Sequence, residues 1–90
     1  MVARNRKNAS SVPRYVIGVA ARLVGTTPHT LRAYERAGLI HPVRTQGNIR
    51  LYSDDDIELL RRITSLTRRG VNLAGVKVIL DMESKRTRGL

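Results

Sequence analysis

Apolar positions fall into four short stripes at helical spacing and one alternating stretch, each bounded by turn or capping residues. After Gly18, residues Ala20, Leu23 and Val24 stand at i, i+3 and i+4, which is one face of a helix, and Gly25 is placed to stop it. Only Thr26 and Thr27 separate this helix from the next. Thr27 suits an N-cap, Pro28 suits the first helical position where no N–H is needed, and Gly38 suits the left-handed residue past the end. The spacing therefore predicts a second helix over 28–37. Leu31 and Tyr34 share one of its faces, and His29, Arg32, Ala33 and Arg36 share another. Two short helices joined by a tight turn containing Gly form a helix-turn-helix, and a short basic helix after such a turn has the shape of a DNA-reading element.

The pattern then changes period. Pro42 bars helix, and Val43, Thr45, Ile49 and Leu51 alternate with more polar neighbours around Gly47 and Asn48, which tolerate positive φ. The stretch 42–52 reads as a hairpin with Arg44 and Arg50 on opposite strands, a wing able to lie on a sugar-phosphate backbone. Ser53 with Asp56 three residues on forms a capping-box pattern, and the acids 54–56 suit the positive end of a helix dipole. Ile57, Leu60, Ile63, Thr64 and Thr67 mark one face of that helix, flanked by Leu59 and Leu66, with Gly70 as its stop. Asn72 caps a fourth helix with an apolar stripe of Leu73, Val76, Ile79 and Leu80. Gly75 inside it costs about 1 kcal/mol relative to Ala, so a close contact with another helix is the expected reason for it. The fold class is mainly α: a winged helix-turn-helix followed by a helical pair. The domain spans 15–82, between a basic arm expected to be disordered (1–14) and a polar basic tail (83–90).

Charge sharpens the picture. The chain of 90 residues has a formal net charge of +10, and residues 1–50 hold nine Lys/Arg against one acid, Glu35. The second half holds eight against six. The excess sits with the helix-turn-helix and wing, which points to a nucleic-acid partner. There is no cysteine, and the only histidines are His29 and His41, so no thiolate or His-based metal site is expected and no cofactor is implied. The carboxylates at 54–56 lack a His or a nucleophile beside them, so they read as caps and not as an enzyme's acid–base groups. No apolar run reaches membrane-spanning length, and no signal-peptide core follows the basic start; a cytoplasmic, nucleoid-associated protein is expected.

The ordered set Ile17-Gly18-Val19-Ala20-Ala21, Thr30-Leu31-Arg32-Ala33-Tyr34-Glu35-Arg36-Ala37-Gly38-Leu39-Ile40, Arg50-Leu51-Tyr52-Ser53 and Asp56-Ile57 resembles the DNA-binding domain of the MerR family of bacterial transcription regulators. The narrower run Gly70-Val71-Asn72-Leu73-Ala74-Gly75-Val76-Lys77 is similar to the heat-shock repressor branch, HspR, which controls chaperone operons. The resemblance implies that helix 28–37 enters the major groove, that Thr30 and Arg32 touch DNA there, and that Arg50 and Tyr52 hold the backbone from the wing. Tyr34 falls on an aromatic position, although its spacing from Leu31 also allows a packing role. Arg36 is expected on phosphate, with pairing to Glu35 or plain solvation as the alternatives. His29, peculiar to this sequence, faces either a base or phosphate or only solvent. The expected DNA-binding set is thus Thr27, His29, Thr30, Arg32, Ala33, Tyr34, Arg36, Arg44, Arg50 and Tyr52.

The family usually continues into a long helix forming an antiparallel coiled-coil dimer. No apolar heptad follows Met82, so the chain reads either as a shortened form or as a naturally short member. It is expected to be a monomer or weak dimer in solution and to pair on an inverted or tandem repeat in double-stranded DNA. The branch implies the chaperone DnaK as a co-repressor. Two other functions fit the elements: a short excisionase-like or developmental protein coating tandem DNA sites, and a protein–protein adaptor using helices 53–82.

Overall fold

The computed structural model describes residues 9–89. Its elements in chain order are β1 (Tyr15–Val16), α1 (Ile17–Val24), α2 (Pro28–Arg36), β2 (Val43–Arg44), β3 (Arg50–Tyr52), α3 (Asp54–Arg68) and α4 (Leu73–Gly89). Of the arm expected over 1–14, residues 1–8 lie outside the described residues. The rest joins the fold through the Arg14 N–H, which donates to the Tyr52 carbonyl at 3.0 Å.

The helix-turn-helix forms through the local signals in its sequence. Gly25 takes φ +85°, and its N–H and that of Thr26 both reach the carbonyl of Ala21 at 2.9 Å, closing α1. Arg68 from α3 adds a hydrogen bond to the Gly25 carbonyl at 2.8 Å, a cation at the negative end of α1. Thr27 caps α2 by accepting from the Thr30 N–H at 3.2 Å, and Gly38 at φ +79° turns the chain after it. α1 starts at Ile17, one residue before Gly18, and its N-cap Val16 offers no side-chain bond.

β1 is the element that the sequence pattern does not show. The wing is a three-stranded antiparallel sheet in the order β1-β3-β2, with Tyr15 opposite Tyr52, Val16 opposite Leu51 and Arg44 opposite Arg50. Two residues offer no alternation to read. β1 exists because β3 has a second edge whose backbone groups need partners. The hairpin turns through Asn48 at φ +65°, closed by reciprocal bonds between Thr45 and Ile49.

α3 carries the full capping box, Ser53 Oγ accepting from Asp56 N–H at 3.1 Å and Asp56 Oδ2 accepting from Ser53 N–H at 2.9 Å. The Tyr15 hydroxyl donates to Asp54 at 2.6 Å and ties β1 to the start of α3. One core unites the pieces: Ala20, Leu31, Ile40, Tyr52, Leu60, Ile63 and Val76 are all essentially solvent-free. The α4 N-terminus is capped by Asn72 Oδ1, which accepts from the Gly75 N–H at 2.8 Å. A Cβ on Gly75 would stand 3.0 Å from Val71 Cγ1 and 3.3 Å from Asn72 Oδ1, so the glycine makes room for its own cap and not for a neighbouring helix. α4 does not end at Met82. It continues through the stretch read as a polar tail, where Glu83 pairs with Arg62 of α3 and Glu83, Lys85, Arg86 and Arg88 are good helix formers.

Candidate nucleic-acid interface

α2 divides its residues between the core and the outside. Leu31 and Tyr34 point inward and are buried. On the other side Thr27, His29 and Arg36 are exposed, and Thr30, Arg32 and Ala33 are half-buried. Among the described residues Arg32 and Arg36 have no ion-pair or hydrogen-bond partner, so their donors are open to a ligand. Pairing between Arg36 and Glu35 does not occur. Thr27 Oγ1 donates to Thr30 Oγ1 at 3.1 Å, which leaves the Thr30 O–H itself free to donate outward. Small Ala33 between Arg32 and Arg36 lets a partner approach the helix backbone.

The wing is bound to this helix by one carboxylate. Glu35 Oε2 accepts from Arg44 Nη2 at 3.0 Å, and Glu35 Oε1 accepts from Arg50 Nε at 2.6 Å. Arg44 Nη1 also reaches Asn48 Oδ1 at 3.3 Å in the wing turn. Burial alone would raise the Glu35 carboxyl, but the hydrogen bonds from Arg50 and Arg44 outweigh it and hold the group below the usual carboxylate range. Glu35 therefore stays ionised throughout the neutral range. The expected wing residues Arg44 and Arg50 are thus brought beside α2, with Arg50 still presenting both Nη groups. The link through Glu35 was missed in the sequence. Its one signal was the position of Glu35 as the sole acid of residues 1–50.

Two members of the expected DNA-binding set are elsewhere. Tyr34 is 4% exposed, and its hydroxyl lies 3.4 Å from the hydroxyls of Thr64 and Thr67 on α3. Its spacing from Leu31 placed it on the packing face, and packing is what it does. Tyr52 is fully buried under the sheet, because alternation along β3 turns it to the opposite side from Leu51. Burial first, and then the nearby Glu35 carboxylate, raise its phenol above the ordinary value. Its hydroxyl has no hydrogen-bond partner among the described residues, and nothing in the structure explains that. Neither tyrosine reaches the outer face. Among the described residues there is no group of three metal-ligating side chains, and no helix is long and apolar enough to cross a membrane.

A family model described as the MerR HTH family regulatory protein matches residues 15–83. The chain belongs to the MerR family. Its relatives include a Streptomyces coelicolor protein described as a heat shock protein, HspR, 53% identical over 74 residues, covering 81% of this chain and 49% of that one. The transcriptional regulator GlnR of Bacillus anthracis is 35% identical over 82 residues, covering 91% of this chain and 64% of its own. The chain thus spans about half to two thirds of the length of these relatives. Among solved MerR structures, HiNmlR, a regulator lacking the sensor domain and bound to promoter DNA, superposes with a TM-score of 0.71. That match is 27% identical and covers 77% of this chain and 53% of the other.

Proposed function

We propose that this protein is a sequence-specific double-stranded DNA-binding transcriptional regulator that reads the major groove with α2 and grips the backbone with the wing. The observation that carries the reading is geometric: the unpaired Arg32 and Arg36 and the wing guanidinia of Arg44 and Arg50 belong to two elements locked together at Glu35. An α-helix fits the major groove, and a basic hairpin beside it falls on phosphate. The DNA-bound state of HiNmlR supports the same use of the fold. Thr30, Arg32 and His29 face bases, Arg36, Arg44 and Arg50 face phosphates, and Thr27 and Ala33 shape the approach.

The regulated genes are those of the heat-shock response, with the protein acting as a repressor and the chaperone DnaK as co-repressor. The HspR relative supports the heat-shock part of that assignment, and the GlnR relative supports the alternative that the same fold serves other genes. A gel shift with duplexes from upstream of chaperone operons against random duplex tests it. Preferential retention of the chaperone duplexes is the expected result, and equal retention would leave the heat-shock assignment without support.

The wing makes a separate prediction. Neutralising Arg44 or Arg50 should weaken both specific and random duplex and shallow the salt dependence by about one unit of slope per lost phosphate contact. A change in sequence preference with an unchanged slope would contradict this pose.

Assembly is the last part of the proposal. On α4, Val76 is buried and Leu73, Ile79 and Leu80 pack against the core. Of its larger apolar residues only Val78 and Met82 are left exposed among the described residues, so α4 offers no continuous apolar seam for pairing with a second copy. The 90-residue chain should sediment as a monomer at low micromolar concentration and occupy paired half-sites cooperatively on DNA. A tight dimer without DNA, or equal affinity per site on one half-site and two, would overturn this.

A further inference from the structure

Arg44 and Arg50 stand directly opposite each other on β2 and β3, an arrangement in which like charges repel. Glu35, in the last turn of α2, bridges them with one oxygen to each. The bridge crosses from the helix to the wing, and its members are only partly exposed, at 36% for Arg44, 24% for Arg50 and 22% for Glu35. Each arginine spends one N–H on the carboxylate. The Nη donors of Arg50 and the remaining donors of Arg44 stay open to an anion, and the trio keeps a net charge of +1. Glu35 also lies three residues from Arg32, so the bridge fixes the wing against the turn of α2 that carries the proposed base contact.

We propose that Glu35 is a positioning residue for DNA recognition, holding Arg44 and Arg50 side by side so that both grip backbone phosphate while α2 sits at its reading depth. The inference rests on the DNA-binding reading above. It runs against simple electrostatics, by which a carboxylate on a DNA-facing surface repels phosphate and its removal tightens binding. Through the bridge, Glu35 removes side-chain freedom from two long arginines before DNA arrives, a cost otherwise met on binding. A random duplex makes no demand on this geometry, because freed arginines still find phosphates.

The test is a fluorescence-anisotropy titration of the whole chain with two duplexes, one selected by the wild-type chain from a random pool and one scrambled. Glu35→Gln should weaken binding to the selected duplex roughly tenfold, since it releases two ordered side chains. Binding to the scrambled duplex should be unchanged or tighter. Glu35→Asp keeps the charge but withdraws the carboxylate by one methylene, and it should weaken the selected duplex too. In an Arg44→Ala/Arg50→Ala background, Glu35→Gln should have no further effect, because Glu35 acts only through those two residues. Wild-type or tighter affinity of Glu35→Gln or Glu35→Asp for the selected duplex would overturn the proposal. So would a loss that persists undiminished without the arginines. Both outcomes differ from failure of the DNA-binding reading, in which the wild-type chain itself shows no preference for any duplex.

Discussion

Replacing Tyr34 with alanine is expected to remove about 3–5 kcal/mol of folding stability, the usual cost of emptying a buried aromatic site. The side chain is 4% exposed and lies between α2 and α3, in the same core as Leu31 and Leu60. Small domains have only about 5–15 kcal/mol in total, so the variant should be marginal at room temperature. Its melting transition should fall sharply or lose cooperativity. Tyr34→Phe should do far less, because it removes only two long contacts, at 3.4 Å each, to Thr64 and Thr67. A hydroxyl bond of ordinary quality is worth about 0.5–1.5 kcal/mol, and these are weaker. Tyr34→Phe should also retain duplex binding. An unchanged melt for Tyr34→Ala with lost DNA affinity would show that the ring meets DNA after all.

Arg32→Ala should produce the opposite pattern. Arg32 has no hydrogen-bond or ion-pair partner among the described residues and is half-buried on the outer side of α2. Surface substitutions away from such partnerships usually change stability by about 0.5 kcal/mol or less. The melt should therefore stay close to that of the wild type. Affinity for the selected duplex should fall by about 1–3 kcal/mol, the range for one good base contact, with relaxed preference at the base pair it reads. A destabilised variant with unchanged DNA affinity would make Arg32 structural.

What the sequence made legible is what is decided locally. The caps at Thr27, Ser53 and Asn72 and the turns at Gly25, Gly38 and Gly70 bind only near neighbours, so their residue types mark helix ends without knowledge of the fold. The inward stripes of α2 and α3 followed from helical spacing in the same way. β1 escaped because pairing Tyr15 with Tyr52 depends on residues 37 positions apart, and two residues carry no period. The direction of Tyr52 escaped because Arg50, Leu51 and Tyr52 form a strand too short to show which side meets the core. Glu35 was the instructive failure. Its neighbour Arg36 is one alternative partner by sequence, but adjacent helical residues do not face each other, and the wing folds back to supply two arginines from nine and fifteen residues away.

If α2 and the wing together read a DNA sequence, the wild-type chain should pick that sequence out of a mixture. The most direct measurement is selection of duplexes from a random pool by the wild-type chain, followed by titration of the selected and scrambled duplexes over a range of salt. Enrichment of one motif is expected, with affinity for it at least about tenfold above the scrambled duplex and a log–log salt slope of several units set by the number of phosphate contacts. No enriched motif, with equal affinity for both duplexes at every salt concentration, would contradict it.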